Sequence, residues 1–144
     1  SAKGYCYQAL ELGKENKDDT VVMSSFNLIG IMYDVISEPD SALKYYDSSM
    51  KYALSLNQES QEAGVHNNIG LIHWNNGDYD NAIEEYLKSE TIYQRIENKK
   101  GLASCYGNIG LIYTELDDYI KGIESNLEEI KNLNSKDKAY KKAL

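Results

Sequence analysis

Proline, cysteine and two of the three aromatic residue types are scarce in this chain of 144 residues. It has one Pro, two Cys, one Phe and one Trp, against 13 Tyr. Scarce proline leaves long stretches free to be helical. Two cysteines, Cys6 and Cys105, make no disulfide framework, and we expect both to be small core residues. With 42% hydrophobic residues, the composition is that of a globular domain with one core.

Positive charge is also in deficit, and long apolar runs are absent. The chain has 23 acidic and 15 basic residues, for a net charge of −8. Nucleic acids and anionic membranes both require clustered Lys and Arg, so neither is an expected partner of this segment. No apolar run approaches the roughly 20 residues of a membrane span, and no secretory segment opens the chain. We expect a cytoplasmic location. The sequence begins within a repeat, so a targeting signal upstream of it stays an open alternative.

A catalytic or metal-binding constellation is missing as well. His66 and His73 are the two histidines, and they are seven positions apart in one predicted helix. At a rise of 1.5 Å per residue they lie about 10 Å apart, too far to share a metal at bonds of about 2 Å. The glycines are isolated, which argues against a phosphate-binding loop. The sequence predicts no catalysis and no cofactor, and it favours a core role for His73.

The chain does contain an internal repeat with a constant period of 40 residues. Three similar strings, each with an Ile-Gly pair, are followed by three similar turn segments. The pairs are Ile29-Gly30, Ile69-Gly70 and Ile109-Gly110, and the turn segments are Ser37-Glu38-Pro39, Gly77-Asp78-Tyr79 and Asp117-Asp118-Tyr119. Such a period is typical of repeats that stack to bury a shared core.

Each copy is predicted to form two antiparallel helices. In the middle copy these cover residues 60–75 and 79–97, with Gly77 ending the first helix and Asp78 capping the second. Gly inside a helix costs about 0.5–1 kcal/mol relative to Ala. Its recurrence at Gly70 and in the other copies therefore suggests a close contact between helices, helped by the small Ala82. Tyr33, Tyr45, Tyr46, Tyr86, Tyr93 and Tyr113 are expected to pack between helices with their hydroxyls at the rim.

The predicted fold class is all-α, with antiparallel helix hairpins stacked in a right-handed superhelix. The register predicts that residues 1–144 form a single array of repeats. It also predicts that this array is a piece cut from a longer array. Its segments are 1–19 (the second helix of a truncated repeat), 20–59, 60–99 and 100–139 (three repeats), and 140–144 (the start of the next).

The pattern resembles the tetratricopeptide repeat family. The family motif combines Leu-Gly-x-x-Tyr with Gly-Asp-Tyr-x-x-Ala, and the middle copy has Ile69-Gly70-x-x-His73 with Gly77-Asp78-Tyr79-x-x-Ala82. The usual family period is 34. The longer period is similar to that of kinesin light chains and of bacterial signalling and regulatory proteins.

The resemblance implies that the first helix of each repeat lines a concave groove that binds peptides. Asn amides there would hold a peptide backbone, since each offers a donor and an acceptor, and Trp is a frequent binding hot spot. A clamp for a peptide carboxylate would need Lys or Arg on the first helices. Because the first helices have neither, such a clamp is not expected. The implied groove residues are Asn27, Asn67, Asn68, Leu71, Trp74, Asn75, Asn108, Leu111 and Thr114.

Protein–protein interaction is therefore the predicted function, with a peptide or partner protein in the groove. Two alternatives stay open. The array could be a sensory or regulatory segment of a larger bacterial signalling protein, beside a histidine kinase or DNA-binding domain. It could also self-associate as a homo-oligomer through apolar faces at the ends of the array.

Overall fold

A computed structural model describes residues 1–143, apart from the side chains of residues 122, 129, 132–134, 136, 137, 139, 140 and 143. Residue 144, in the predicted start of a fourth repeat, lies outside the described residues. The described chain is all-helical, as predicted, and it separates into two compact units, Ser1–Ile109 and Gly110–Leu144. The helices are α1 (Ala2–Glu15), α2 (Asp19–Val35), α3 (Pro39–Ser55), α4 (Glu59–Asn75), α5 (Tyr79–Arg95) and α6 (Lys99–Ala143).

Within the first unit, the helices form stacked antiparallel hairpins. Helix α2 packs on α3 and α4 packs on α5, while α1 covers α2, and α3 covers α4. Helices α2, α4 and α6 begin at Asp19, Glu59 and Lys99, each one residue before a predicted repeat boundary. The stacked-hairpin fold predicted from the repeat is confirmed for this unit. Among the described residues, no helix combines the length and the apolar composition needed to cross a membrane.

Short turns with one left-handed residue separate the helices of the first unit. Gly77 has φ of +75° and ends α4, and the Asp78 side chain accepts a hydrogen bond from the Asn81 N–H at 3.4 Å. The glycine stop and the aspartate cap are thus where the sequence places them. The other turns use non-glycine residues at positive φ, namely Lys17, Ser37, Asn57 and Glu97. Packing of the hairpins therefore supports a conformation that costs L-residues about 1–2 kcal/mol.

The recurring glycines bring a buried tyrosine ring against the backbone of the first helix. A Cβ at Gly70 would lie 2.7 Å from Tyr86 Cε1, and one at Gly30 would lie 2.6 Å from Tyr46 Cε1. Both rings are fully buried, at 0% and 1% exposure. The expected close contact exists in these two copies, and its partner is the tyrosine ring of the second helix.

A buried serine occupies the same repeat position on each of the second helices α3 and α5. Ser49 Oγ donates to the Met23 carbonyl oxygen at 3.0 Å, and Ser89 Oγ donates to the Ala63 carbonyl oxygen at 2.7 Å. A buried hydroxyl that finds a carbonyl avoids the desolvation penalty of an unpaired group. Cys105 is also buried, with Sγ 3.3 Å from Ser89 Oγ. The expected core role is confirmed for Cys105, while Cys6 is half-buried against the α1–α2 core.

The tyrosine hydroxyls do not all reach the rim. Tyr7 Oη lies 3.1 Å from Tyr33 Oη and 3.0 Å from Tyr45 Oη, so three helices meet in a hydroxyl cluster. Burial and these two hydrogen bonds raise the pKa of Tyr7. Tyr86 is different, because its hydroxyl is buried and has no hydrogen-bond partner among the described residues. Burial, with a smaller effect of Cys105, raises the pKa of Tyr86 to about 12.

The unpaired hydroxyl of Tyr86 is expected to lower the stability of the protein. Tyr86→Phe keeps the ring against Gly70 and removes the unpaired polar group, so the free energy of unfolding should rise by about 1 kcal/mol. Urea unfolding followed by circular dichroism measures the change. Tyr5→Phe, at a side chain that is 73% exposed, is the control and should leave stability unchanged. A loss of stability in Tyr86→Phe would show that the hydroxyl has a partner.

The third copy differs from its prediction, since α6 continues as a helix through Asp117 and Asp118. In this copy Asn126 takes the place of Tyr46 and Tyr86, and a Cβ at Gly110 would have no atom within 4 Å. Without a ring to pack on this glycine, nothing offsets the free energy of a left-handed turn residue. The turn predicted at this point is therefore replaced by continuous helix.

Candidate functional site

Two pairs of asparagine side chains connect the first helices of neighbouring repeats. Asn68 Nδ2 donates to Asn27 Oδ1 at 3.3 Å, which joins α4 to α2. Asn108 Nδ2 donates to Asn67 Oδ1 at 3.1 Å, which joins the start of α6 to α4. All four amides are half-buried, and each has further donor or acceptor capacity. The structure thus brings four predicted site residues together as two amide pairs.

An apolar stripe on α2 runs beside the first amide pair. Leu28, Ile31 and Val35 are 52%, 37% and 77% exposed, and their spacing places them on one helix face. Leu71 and Trp74 on α4 are half-buried, and Asn75 at the end of α4 is exposed. We call the exposed side of α2 and α4, with the amide pairs, the first-helix face. Two predicted residues belong to the second unit: Leu111 is exposed, and Thr114 Oγ1 donates to the Gly110 carbonyl within α6.

The first-helix face carries negative charge and no positive charge. No Lys or Arg occurs in residues 20–35, 60–75 or 101–115. Asp34 is half-buried in the last turn of α2, and burial raises the pKa of its carboxyl group. The face therefore offers apolar area, amides and a carboxylate, and it disfavours anionic ligands.

Comparison with known proteins agrees with the repeat architecture. A family model described as tetratricopeptide repeat matches residues 61–121. Residues 61–121 therefore match the tetratricopeptide repeat family. No curated protein matches the chain. Tetratricopeptide repeats generally mediate protein–protein interactions, and the family is typically a non-enzymatic scaffold.

The two histidines, both within the matched segment, each face a carboxylate. His66 Nδ1 lies 2.6 Å from Glu85 Oε2, between α4 and α5, and Lys88 Nζ lies 2.8 Å from Glu85 Oε1. Burial alone raises the pKa of Glu85, but the hydrogen bonds and charges of His66 and Lys88 outweigh it, so its pKa is lowered. His73 Nδ1 lies 3.5 Å from Asp78 Oδ2. Both contacts lie within the α4–α5 hairpin. The described residues include no cluster of three or more metal-ligating side chains.

Sequence reasoning identified the rows of the repeat but not the contacts between them. Each amide pair joins positions 41 residues apart, one more than the repeat period, because neighbouring first helices contact diagonally. The repeat register places Leu28, Ile31 and Val35 in groove-facing rows, and the structure adds that all three side chains are exposed. Their spacing of three and four residues was the available signal, but the same spacing is found on buried helix faces.

Proposed function

We propose that the first-helix face binds a peptide segment of a partner protein. The amide pairs beside the apolar stripe are the observation that carries this proposal. Each pair uses one N–H and one carbonyl lone pair, so the amides keep groups that can bond a peptide backbone. Because the pairing holds the side chains in place, less rotamer entropy is lost on binding.

The exposed stripe supplies the favourable free energy. Burying a Leu or Val side chain contributes about 1.5–3 kcal/mol, and Leu28 and Val35 are more than half exposed in the free protein. A peptide with apolar side chains along one edge would cover them. Direct binding of backbone and side chains, without any bond being broken, is the activity that this chemistry supports. Three further predictions rest on the sequence alone. They are that the array is a regulatory segment of a bacterial signalling protein, that it self-associates, and that it is cytoplasmic.

Selection from a displayed peptide library tests which face binds. Leu28→Glu places a carboxylate in the stripe and should weaken a selected peptide at least about tenfold. The matched control is Leu54→Glu on α3, because Leu54 is 54% exposed and Leu28 is 52% exposed. The control should bind as the unchanged protein does. Loss of binding in Leu54→Glu with retention in Leu28→Glu would place recognition on the second helices and overturn the proposal.

A further inference from the structure

A polar pocket of about 230 Å³ lies where the ends of α2 and α4 meet the α2–α3 turn. Its lining residues are Asp34, Ser37, Pro39, Ile72, Asn75 and Asn76. Asp34 and Asn75 also belong to the first-helix face, so the pocket adjoins the proposed peptide site. Ile72 forms an apolar wall, since it is fully buried in the core between α3 and α4.

The Asp34 carboxylate has no cationic partner among the described residues. The ion pairs of the first unit involve other carboxylates, such as Glu11, Asp47 and Glu59. Burial raises the pKa of Asp34. The pKa of Tyr46 is raised by burial and, in addition, by the Asp34 charge. A desolvated carboxylate without a counter-charge is unfavourable, and a bound cation would remove that penalty.

We propose that this pocket binds the guanidinium group of an arginine side chain. Guanidinium is planar and carries five N–H donors, which suit several oxygen acceptors at once. Among the residues that line the pocket, Asp34 has a carboxylate, Asn75 and Asn76 have amide oxygens, and Ser37 has a hydroxyl group. The chain's net charge of −8 also favours a cationic ligand. The inference rests on the proposed function only for the source of the arginine, which is the peptide on the first-helix face.

The test uses N-acetyl-arginine amide as the probe, with N-acetyl-citrulline amide as its neutral isostere. In ¹⁵N NMR spectra of the full chain, the arginine probe should shift the side-chain amide signals of Asn75 and Asn76. The citrulline probe should bind at least tenfold more weakly. Asp34→Asn should weaken arginine binding by a similar factor, while Asp40→Asn, at an exposed carboxylate in the first turn of α3, should not.

Equal binding of the two probes to the unchanged protein would overturn the inference, even if Asp34→Asn failed to fold. Equal weakening by Asp34→Asn and Asp40→Asn would also overturn it, because attraction would then be a property of the overall charge. Failure here is distinct from failure of the proposed function. Library peptides that bind through Leu28, together with equal binding of the two probes, would leave the first-helix face as the binding site and exclude the pocket.

Discussion

Replacing Gly70 with valine is expected to lower the free energy of unfolding by about 3 kcal/mol. The new Cβ would lie 2.7, 2.9 and 3.1 Å from three carbons of the Tyr86 ring, well inside contact distance. The ring is fully buried and cannot move aside without opening the hairpin of α4 and α5. Urea unfolding followed by circular dichroism measures the loss. Gly30→Val should behave alike, since its Cβ would lie 2.6 Å from two carbons of the Tyr46 ring.

The matched control is the same substitution at Gly107, where a new Cβ has no atom within 4 Å. Gly107→Val should stay within about 0.5 kcal/mol of the unchanged protein, because Val is a slightly better helix former than Gly. Equal losses at Gly70 and Gly107 would show that helix propensity, rather than the tyrosine contact, governs the glycine positions. That result would contradict the packing described for the hairpin core.

Replacing Trp74 with alanine is expected to weaken a library-selected peptide about 30-fold, which corresponds to about 2 kcal/mol. Trp74 is half-buried on α4, and its counterparts are Asp34 and Thr114, so the repeat itself does not require an aromatic ring there. An indole ring offers a large apolar surface with few rotamers to order on binding. Isothermal titration calorimetry measures the affinities.

Because Trp74 is the one tryptophan of the chain, its fluorescence reports on the site directly. A peptide that covers the indole ring should shift its emission to shorter wavelength. Trp74→Phe keeps an aromatic ring and should lose less affinity than Trp74→Ala. The Leu54→Glu control should show the full emission shift. Unchanged emission on binding, with unchanged affinity in Trp74→Ala, would exclude Trp74 from the interface.

Helix positions in the first unit could be predicted closely from periodicity. The middle copy was expected at 60–75 and 79–97, and the structure has Glu59–Asn75 and Tyr79–Arg95. Small residues, caps and turn residues act locally, so one copy of the repeat already contains them. The turn predicted in the third copy was wrong. Its glycine and turn segment are present, but Asn126 replaces the aromatic residue that packs on the glycine in the other copies.

The candidate site was predictable only in part. The sequence pointed to Asn68 and Asn108 as residues of one row, but it did not reveal that they donate to Asn27 and Asn67. Those contacts depend on how far one first helix is displaced along its neighbour. The pocket at Asp34 has the same origin, since its walls come from two hairpins whose separation is determined by core packing.

By itself, the sequence determined the all-helical class, the 40-residue period and the resemblance to the tetratricopeptide repeat family, because these follow from spacing along one chain. Only the tertiary structure decided which amides pair, which tyrosine hydroxyl is left without a partner, and where a half-buried carboxylate adjoins a pocket. It also decided that α6 continues through the predicted third turn. The physical reason is that these features depend on contacts between helices, whose free energies are comparable to the local preferences that a sequence pattern records.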